Sequence, residues 1–276
     1  VKSDNLIPKI LIACPTSDRH EHLIEEWLSH LDSLTYPNFD VCLVDTSQNN
    51  SYYQKLKKMK LKGHQIIVLR HKWDNKKLHP VQMLAHAREK IRQYFLEHKE
   101  YSNIFWLDDD IFVPKFALQR LISYQKDCVG FYVHVFYKPH RVPCLLKSGE
   151  IILGKGLDFF TFSEINAYKN FVKNFRKDKL SKEEKKLISF IIKDKFRPQL
   201  IKTYGVNLGC LMCSRKVMET VQFRTHETFI NGEDLWFFAE ANDKHFEFWC
   251  DTDHRCRHEN TEWHSLISQS PRRMNF

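Results

Sequence analysis

Phe105-Trp106-Leu107-Asp108-Asp109-Asp110-Ile111-Phe112-Val113-Pro114 sets three carboxylates in a row between two apolar segments. Side chains alternate faces along a strand, so Asp108 and Asp110 are expected to point one way and Asp109 the other. Two like charges about 7 Å apart on one strand face repel, and apolar flanks raise the cost because desolvated charge must be compensated. The cheapest compensation is a hard divalent cation, which takes carboxylate oxygens. An acidic turn between two strands explains the same residues, so the rest of the chain has to decide.

On the N-terminal side, Val81 to Phe95 carries Leu84, Ala87, Ile91 and Phe95 at helical spacing. Gln65 to Leu69 and Phe39 to Val44 read as strands, and Lys9-Ile10-Leu11-Ile12-Ala13-Cys14 is a continuous apolar run suited to a buried parallel strand. Asp18, with Glu21 three residues on, predicts a capping box for a helix through Leu23, Trp27, Leu28 and Leu31. This order of strands and helices is that of an α/β sheet. Ligands of such sheets bind at the carboxyl ends of the strands, where Thr16, Asp45 and the three aspartates would gather.

On the C-terminal side a helix is expected from about Lys115 to Tyr124, then strands at Val129 to Tyr137 and Glu150 to Leu153. Residues 163–197 read as a helical, basic excursion. Tyr204 to Met212 returns to strand, Ser214 to Val221 to a short helix, and Gly232-Glu233-Asp234 opens another. Phe246 to Cys250 is a last strand, leading to Asp251-Thr252-Asp253-His254-Arg255-Cys256-Arg257-His258. With no internal repeat and no low-complexity linker, residues 1–276 are expected to form a single domain.

Hydrophobic residues at 42% and charged residues at 28% are ordinary for a soluble protein. No apolar run reaches the roughly 18 residues of a membrane span, and no basic-then-apolar leader opens the sequence, so the expected location is cytoplasmic. The eight cysteines mostly sit in apolar segments, as reduced, buried thiols do. Cys210 and Cys213 have metal spacing, with Cys250 and Cys256 available, but residues three apart on a strand face opposite ways and cannot share an ion. The net charge is +9, with twelve Lys/Arg against four Asp/Glu between Lys169 and Lys202. That imbalance predicts an anionic partner, with a solvated basic face as the alternative.

Asp108 with Asp110, Glu233 with Asp234 at a helix start, and His258 after the last strand form the candidate constellation. Two carboxylates and an imidazole suit Mn²⁺ or Mg²⁺ with positions left for phosphate oxygens. A carboxylate at a helix N-terminus is stabilised as the anion and can accept a proton. Taken singly, Glu233/Asp234 could be plain caps and His258 a surface histidine.

The motif order resembles the GT-A fold glycosyltransferases, particularly family-2-like and Anp1-like members, over most of the chain. The resemblance implies one Rossmann-like, mostly parallel sheet flanked by helices, with a mixed acceptor-side second half. It implies a nucleotide-sugar-binding half at 1–125 and an acceptor-binding, catalytic half at 126–276, with the basic excursion at about 163–202. Lys9–Arg19 resembles the first nucleotide-binding strand and loop, which makes Pro15, Thr16 and Arg19 donor contacts. Asp45 would meet the base or ribose, and Arg88, Asp108 and Asp109 would also contact the donor. Asp108, Asp110 and His258 would hold the metal, with His254 as a rival to His258. Gly232-Glu233-Asp234 resembles the catalytic acidic motif, with Asp234 at the base position. The loop Asp45-Thr46-Ser47-Gln48-Asn49-Asn50 departs from the usual Asp-Asp-Gly-Ser, and Glu89 stands where Asn is common.

The expected activity is metal-dependent transfer of a hexose or pentose from a nucleoside-diphosphate sugar to an acceptor hydroxyl, with inversion. The acceptor is expected to be anionic: DNA with hydroxylated bases, a glycan, a protein or a lipid carrier. A nucleotidyltransferase would use a similar sheet, but the loop Pro15-Thr16-Ser17-Asp18-Arg19 has no glycine to cradle phosphate. A non-catalytic binding module has no use for Asp234 beside metal carboxylates.

Overall fold

The computed structural model describes residues 7–72, 79–137, 140–143, 145–146, 200–225 and 232–259. The expected strand at 150–153 and the basic excursion, apart from its last residues 200–202, lie outside them.

Eight strands form one sheet: β1 (Lys9–Thr16), β2 (Phe39–Asp45), β3 (Ile66–Arg70), β4 (Tyr101–Leu107), β6 (Cys128–Tyr132), β10 (Leu200–Thr203), β12 (Cys210–Ser214) and β13 (Phe248–Arg255). Their order is β10-β13-β6-β12-β4-β1-β2-β3. β1, β2, β3 and β4 pair in parallel, as do β6 and β13, whereas β12 runs antiparallel to β4 and β6 and β10 antiparallel to β13. The sheet is therefore mostly parallel, with antiparallel insertions from the second half of the chain. Short pairs supplement it: β5 (Ile111–Phe112) with β14 (Arg257–His258), β7 (His134–Tyr137) with β8 (His140–Pro143), and β9 (Leu145–Leu146) with β11 (Gly205–Val206).

Both faces of the sheet are covered, which is why β1 and β2 are apolar without alternation. Ile10, Ile12 and Cys14 enter one core with Trp27, Leu28 and Leu31 of α1 (Ile24–Leu31). Leu11 and Ala13 enter the other with Ala87, Ile91 and Phe95 of α3 (Pro80–Glu97). Helices α2 (Ser51–Leu56), α4 (Ala117–Ser123), α5 (Arg215–Thr220) and α6 (Glu233–Asp243) complete the described helices. β12 splits its own cysteines, Cys210 to the first core and Cys213 to the second, so they cannot ligate one metal.

Several local expectations give way to tertiary contacts. Asp18 does not cap α1: residues Asp18–His20 form a 3-10 turn, and the Asp18 carboxylate accepts a hydrogen bond from Asn49 at 2.8 Å. Val129 to Tyr137 is two strands in different sheets, broken at Val133, and Tyr204 to Met212 is likewise broken at 207–209. The last strand starts two residues later than expected, at Phe248, and continues through the aspartates to Arg255. β4 itself ends at Leu107, and Asp108–Asp110 form a turn closed by Ile111 N–H to the Asp108 carbonyl at 3.0 Å. Strand alternation therefore does not set the directions of the three aspartates.

Candidate active site

The site is built where β1, β4, the turn before β12, the start of α6 and β14 meet. Asp109, in the middle of the triplet, is buried and turned back into the protein. Its carboxylate accepts hydrogen bonds from the Thr16 hydroxyl and from His20 Nδ1, each at 2.5 Å. Thr16 also meets the Tyr52 hydroxyl at 2.8 Å. Burial pushes the Asp109 carboxyl up, against the pull of His20 and Thr16. His20 was not flagged by the sequence. Its only signal was a place in the loop after the first strand, at the ligand-binding end of the sheet.

Asp110 meets a different partner. β14 pairs with β5 in the register His258↔Ile111, and Glu259 N–H donates to the Asp110 carbonyl at 2.8 Å. This ladder sets His258 Nε2 3.2 Å from Asp110 Oδ2. His254 lies elsewhere, its ring against Phe116 with centroids 4.9 Å apart and its Nδ1 3.8 Å from Asp251.

Asp108 is joined to the acidic motif through Arg88. The fully buried guanidinium donates from Nη2 to Asp108 Oδ1 and from Nε to Glu233 Oε1, both at 3.0 Å. Burial works against the charge on Arg88, and Asp108 and Glu233 more than restore it. The other oxygen of Asp108 lies over Gly209, where a Cβ would come within 2.1 Å of it. Glycine is needed there to admit the carboxylate. Two buried polar atoms at this centre, Arg88 Nη1 and Asn207 Oδ1, have no hydrogen-bond partner among the described residues.

Glu233 and Asp234 open α6 after Gly232. Burial pushes Glu233 up to about 7, only partly offset by Arg88, and raises Asp234 as well. Asp234 is half-buried and accepts the Leu235 N–H at 2.8 Å. Both carboxylates therefore bind a proton more readily than an exposed acid does.

The remaining expected donor residues divide. Asp45 is wholly buried; it accepts the Ser47 N–H at 2.8 Å and faces Arg70 Nε at 3.7 Å. Pro15 is buried at the end of β1, while Arg19 is exposed on the turn that follows.

Two ligands bound at right angles to an ion with bonds of about 2.1 Å stand about 3 Å apart. Asp110 and His258 already meet that spacing, so the donor set fits Mn²⁺ or Mg²⁺. Among the described residues no three His, Cys, Asp or Glu side chains form a ready cage. That pattern suits an ion completed by substrate phosphates and water.

The sequence profile of glycosyl transferase family 8 matches residues 15–189, more than half of the chain. No curated protein matches by sequence. Among solved structures, GalNAc-T7 with UDP, GalNAc and Mn²⁺ superposes with a TM-score of 0.58 at 13% identity, over 92% of this chain and 44% of that one. S. aureus TarS gives 0.50 at 13% identity, over 94% and 38%. A197 from STIV gives 0.44 at 14% identity, over 92% and 87%. The chain thus spans less than half the length of the first two, and the likeness shows the fold: a GT-A-like α/β sheet. Among the described residues no helix is long and apolar enough to cross a membrane.

Proposed function

Because the chain belongs to glycosyl transferase family 8 rather than to the family-2-like or Anp1-like groups, we propose that it transfers a sugar from a nucleoside diphosphate to an acceptor hydroxyl at the site around Asp108–Asp110. The observation that carries this reading is the 3.2 Å approach of His258 to Asp110, fixed by the β5–β14 ladder that joins two segments far apart in sequence. Asp108, Asp110 and His258 would hold Mn²⁺ or Mg²⁺, which supplies Lewis-acid neutralisation of the departing diphosphate when bound. GalNAc-T7, with its UDP and Mn²⁺, supports that assignment.

The chain's own residues supply the rest. Arg88 Nη1 and Asn207 Oδ1, buried without partners among the described residues, offer a donor and an acceptor to sugar hydroxyls. Thr16, His20 and Asp109 fix the floor of the loop after β1, on which the nucleotide would rest with Pro15 and Arg19 at its edge. Asp45 acts here by holding the β2 loop for the base or ribose.

The inverting transfer expected from the sequence, with Asp234 as proton acceptor, does not hold for this family, in which transfer is retaining. A retained product would leave Asp234 to stabilise positive charge at the anomeric carbon, beside Glu233 held on Arg88. The anomeric configuration of the product, read by NMR, separates the two roles.

The net charge of +9 supports an anionic acceptor. DNA, a charged glycan, a protein and a lipid headgroup are the arms of that test. A panel of nucleotide sugars with Mn²⁺ and with EDTA tests the core reading. Mn²⁺-dependent release of nucleoside diphosphate from one donor is expected; none from any donor would overturn it.

A further inference from the structure

The transferase reading leaves a close pair of buried thiols at the edge of the site unused. Cys210 and Cys256, both free thiols and both buried, lie with their sulfurs 3.4 Å apart. Each stands next to a support of the site. Cys210 follows Gly209, which makes room for the Asp108 carboxylate. Cys256 comes two residues before His258, and its N–H donates to the Tyr132 carbonyl at 3.2 Å. A disulfide needs the sulfurs closer by roughly 1.4 Å.

We propose that Cys210 and Cys256 are a reversible dithiol that, when oxidised, locks the closing strand β14 to β12. The oxidant is a small-molecule disulfide. One cysteine thiolate attacks it, forming a mixed disulfide and releasing one thiol. The other cysteine then attacks the protein sulfur of that bond and releases the second thiol. Two cysteine thiols become one disulfide, and one disulfide becomes two thiols. Access comes from β14, whose ladder to β5 is two residues long; short ladders open locally. Cys128 and Cys213, paired across β6 and β12 inside the sheet, have no such route. The closed loop would run from Cys210 to Cys256 and include Glu233 and Asp234, so the lock encloses the acidic motif with the strand that carries His258.

The test incubates the reduced full chain with oxidised glutathione, alkylates it and maps disulfides by mass spectrometry. The expected result is one peptide joining Cys210 to Cys256, loss of two of the eight thiols, and a Tm higher by about 5–10 °C, all reversed by dithiothreitol. Cys210→Ser and Cys256→Ser should each lose the cross-link, and the wild-type map decides the matter if either variant fails to fold. A persistent glutathione adduct on one cysteine, a Cys128–Cys213 bond, or eight unreacted thiols would overturn the proposal. Its effect on the site rests on the metal reading. Mn²⁺ titrated with UDP should bind the oxidised form at least about threefold more tightly, because His258 is held in place. Equal affinity in both forms refutes the lock on the site. No Mn²⁺ binding in either form strikes the metal reading instead, while the cross-link map still stands.

Discussion

Asp109 and Asp110 are neighbours in sequence and opposites in use. Asp109 is satisfied by the end of β1 and the loop after it, through Thr16 and His20. Among the described residues the Asp110 carboxylate meets a histidine delivered by the far end of the chain. Asp45 is buried but bonded through one oxygen only, to the Ser47 N–H; the other faces Arg70 at 3.7 Å with no hydrogen bond among the described residues. Asp108 stands between the types, held by Arg88 yet a third exposed. A carboxylate tied on all sides to the scaffold contributes stability. One bonded through a single oxygen keeps the other for a ligand. The number of oxygens already engaged, not the residue type, separates structure from chemistry in this turn.

The largest expected effects are on the chemical side of that contrast. Asp234→Asn should lower kcat by about 10²- to 10³-fold, as losing a group that stabilises transition-state charge does, with donor KM nearly unchanged. Asp110→Ala should remove Mn²⁺-dependent binding of nucleoside diphosphate, read by calorimetry, while the Tm stays close to that of the parent. Unaltered nucleotide affinity in that variant would place the metal elsewhere.

Asp109→Ala should do the reverse. It removes the acceptor shared by the Thr16 hydroxyl, which keeps Tyr52, and the His20 ring, which is a third exposed, at a cost of about 1–3 kcal/mol, measured as a shift in the denaturation midpoint. Mn²⁺ affinity in the fraction that remains folded should be kept. If the variant is stable but cannot bind nucleotide, the assignment of Asp109 to the scaffold fails.

Much of this contrast was legible before any coordinates, but for uneven reasons. The apolar runs of β1 and β2 are buried on both faces, so their composition alone shows where they lie. Asp110 and His258 stood out by residue type and order, and the structure sets them side by side. The use of Asp109 was not legible, because alternation was applied to a segment that is a turn: β4 stops at Leu107. His20 was missed because its meaning depends on an acid 89 residues away. Arg88 was expected as a donor contact; that its guanidinium also joins Asp108 to Glu233, reaching 145 residues along the chain to do so, is carried by no local pattern. The capping box at Asp18 failed because Asn49, from the next strand's loop, claimed the side chain.

A smaller effect should appear in stability against pH. The Glu233 carboxyl is pushed up to about 7 in the fold, above the ordinary value of about 4.3 expected for an unfolded chain. Between those values the native state holds more protons than the unfolded one. Stability should therefore be greatest below about pH 4.3, as far as this group is concerned, and fall as pH rises through about 7. The slope cannot exceed about 1.4 kcal/mol per pH unit for one proton. Glu233→Gln should reduce that slope in urea titrations at several pH values. Asp109, raised by burial in the same sense, supplies part of what remains. An unchanged slope in the glutamine variant would mean that Arg88 keeps Glu233 ionised throughout.

The smallest effect tests what holds β14 against the turn. Arg257 reaches Glu26 at 2.5 Å and lies over the Phe112 ring at 3.9 Å, but its side chain is 52% exposed and that of Glu26 56%. Exposed ion pairs are worth about 0–1 kcal/mol, and an exposed cation–π contact about 0.5–1 kcal/mol. The backbone ladder to β5 and the Glu259 N–H bond to Asp110 do not depend on either contact. Arg257→Ala should then cost at most about 2 kcal/mol in denaturant unfolding. Mn²⁺ affinity should change less than about threefold, since His258 keeps its register. A loss of Mn²⁺ binding as deep as that of Asp110→Ala would show that surface charge, rather than the strand, delivers His258. The acid at 110 would then depend on the protein's exterior as fully as Asp109 depends on its core.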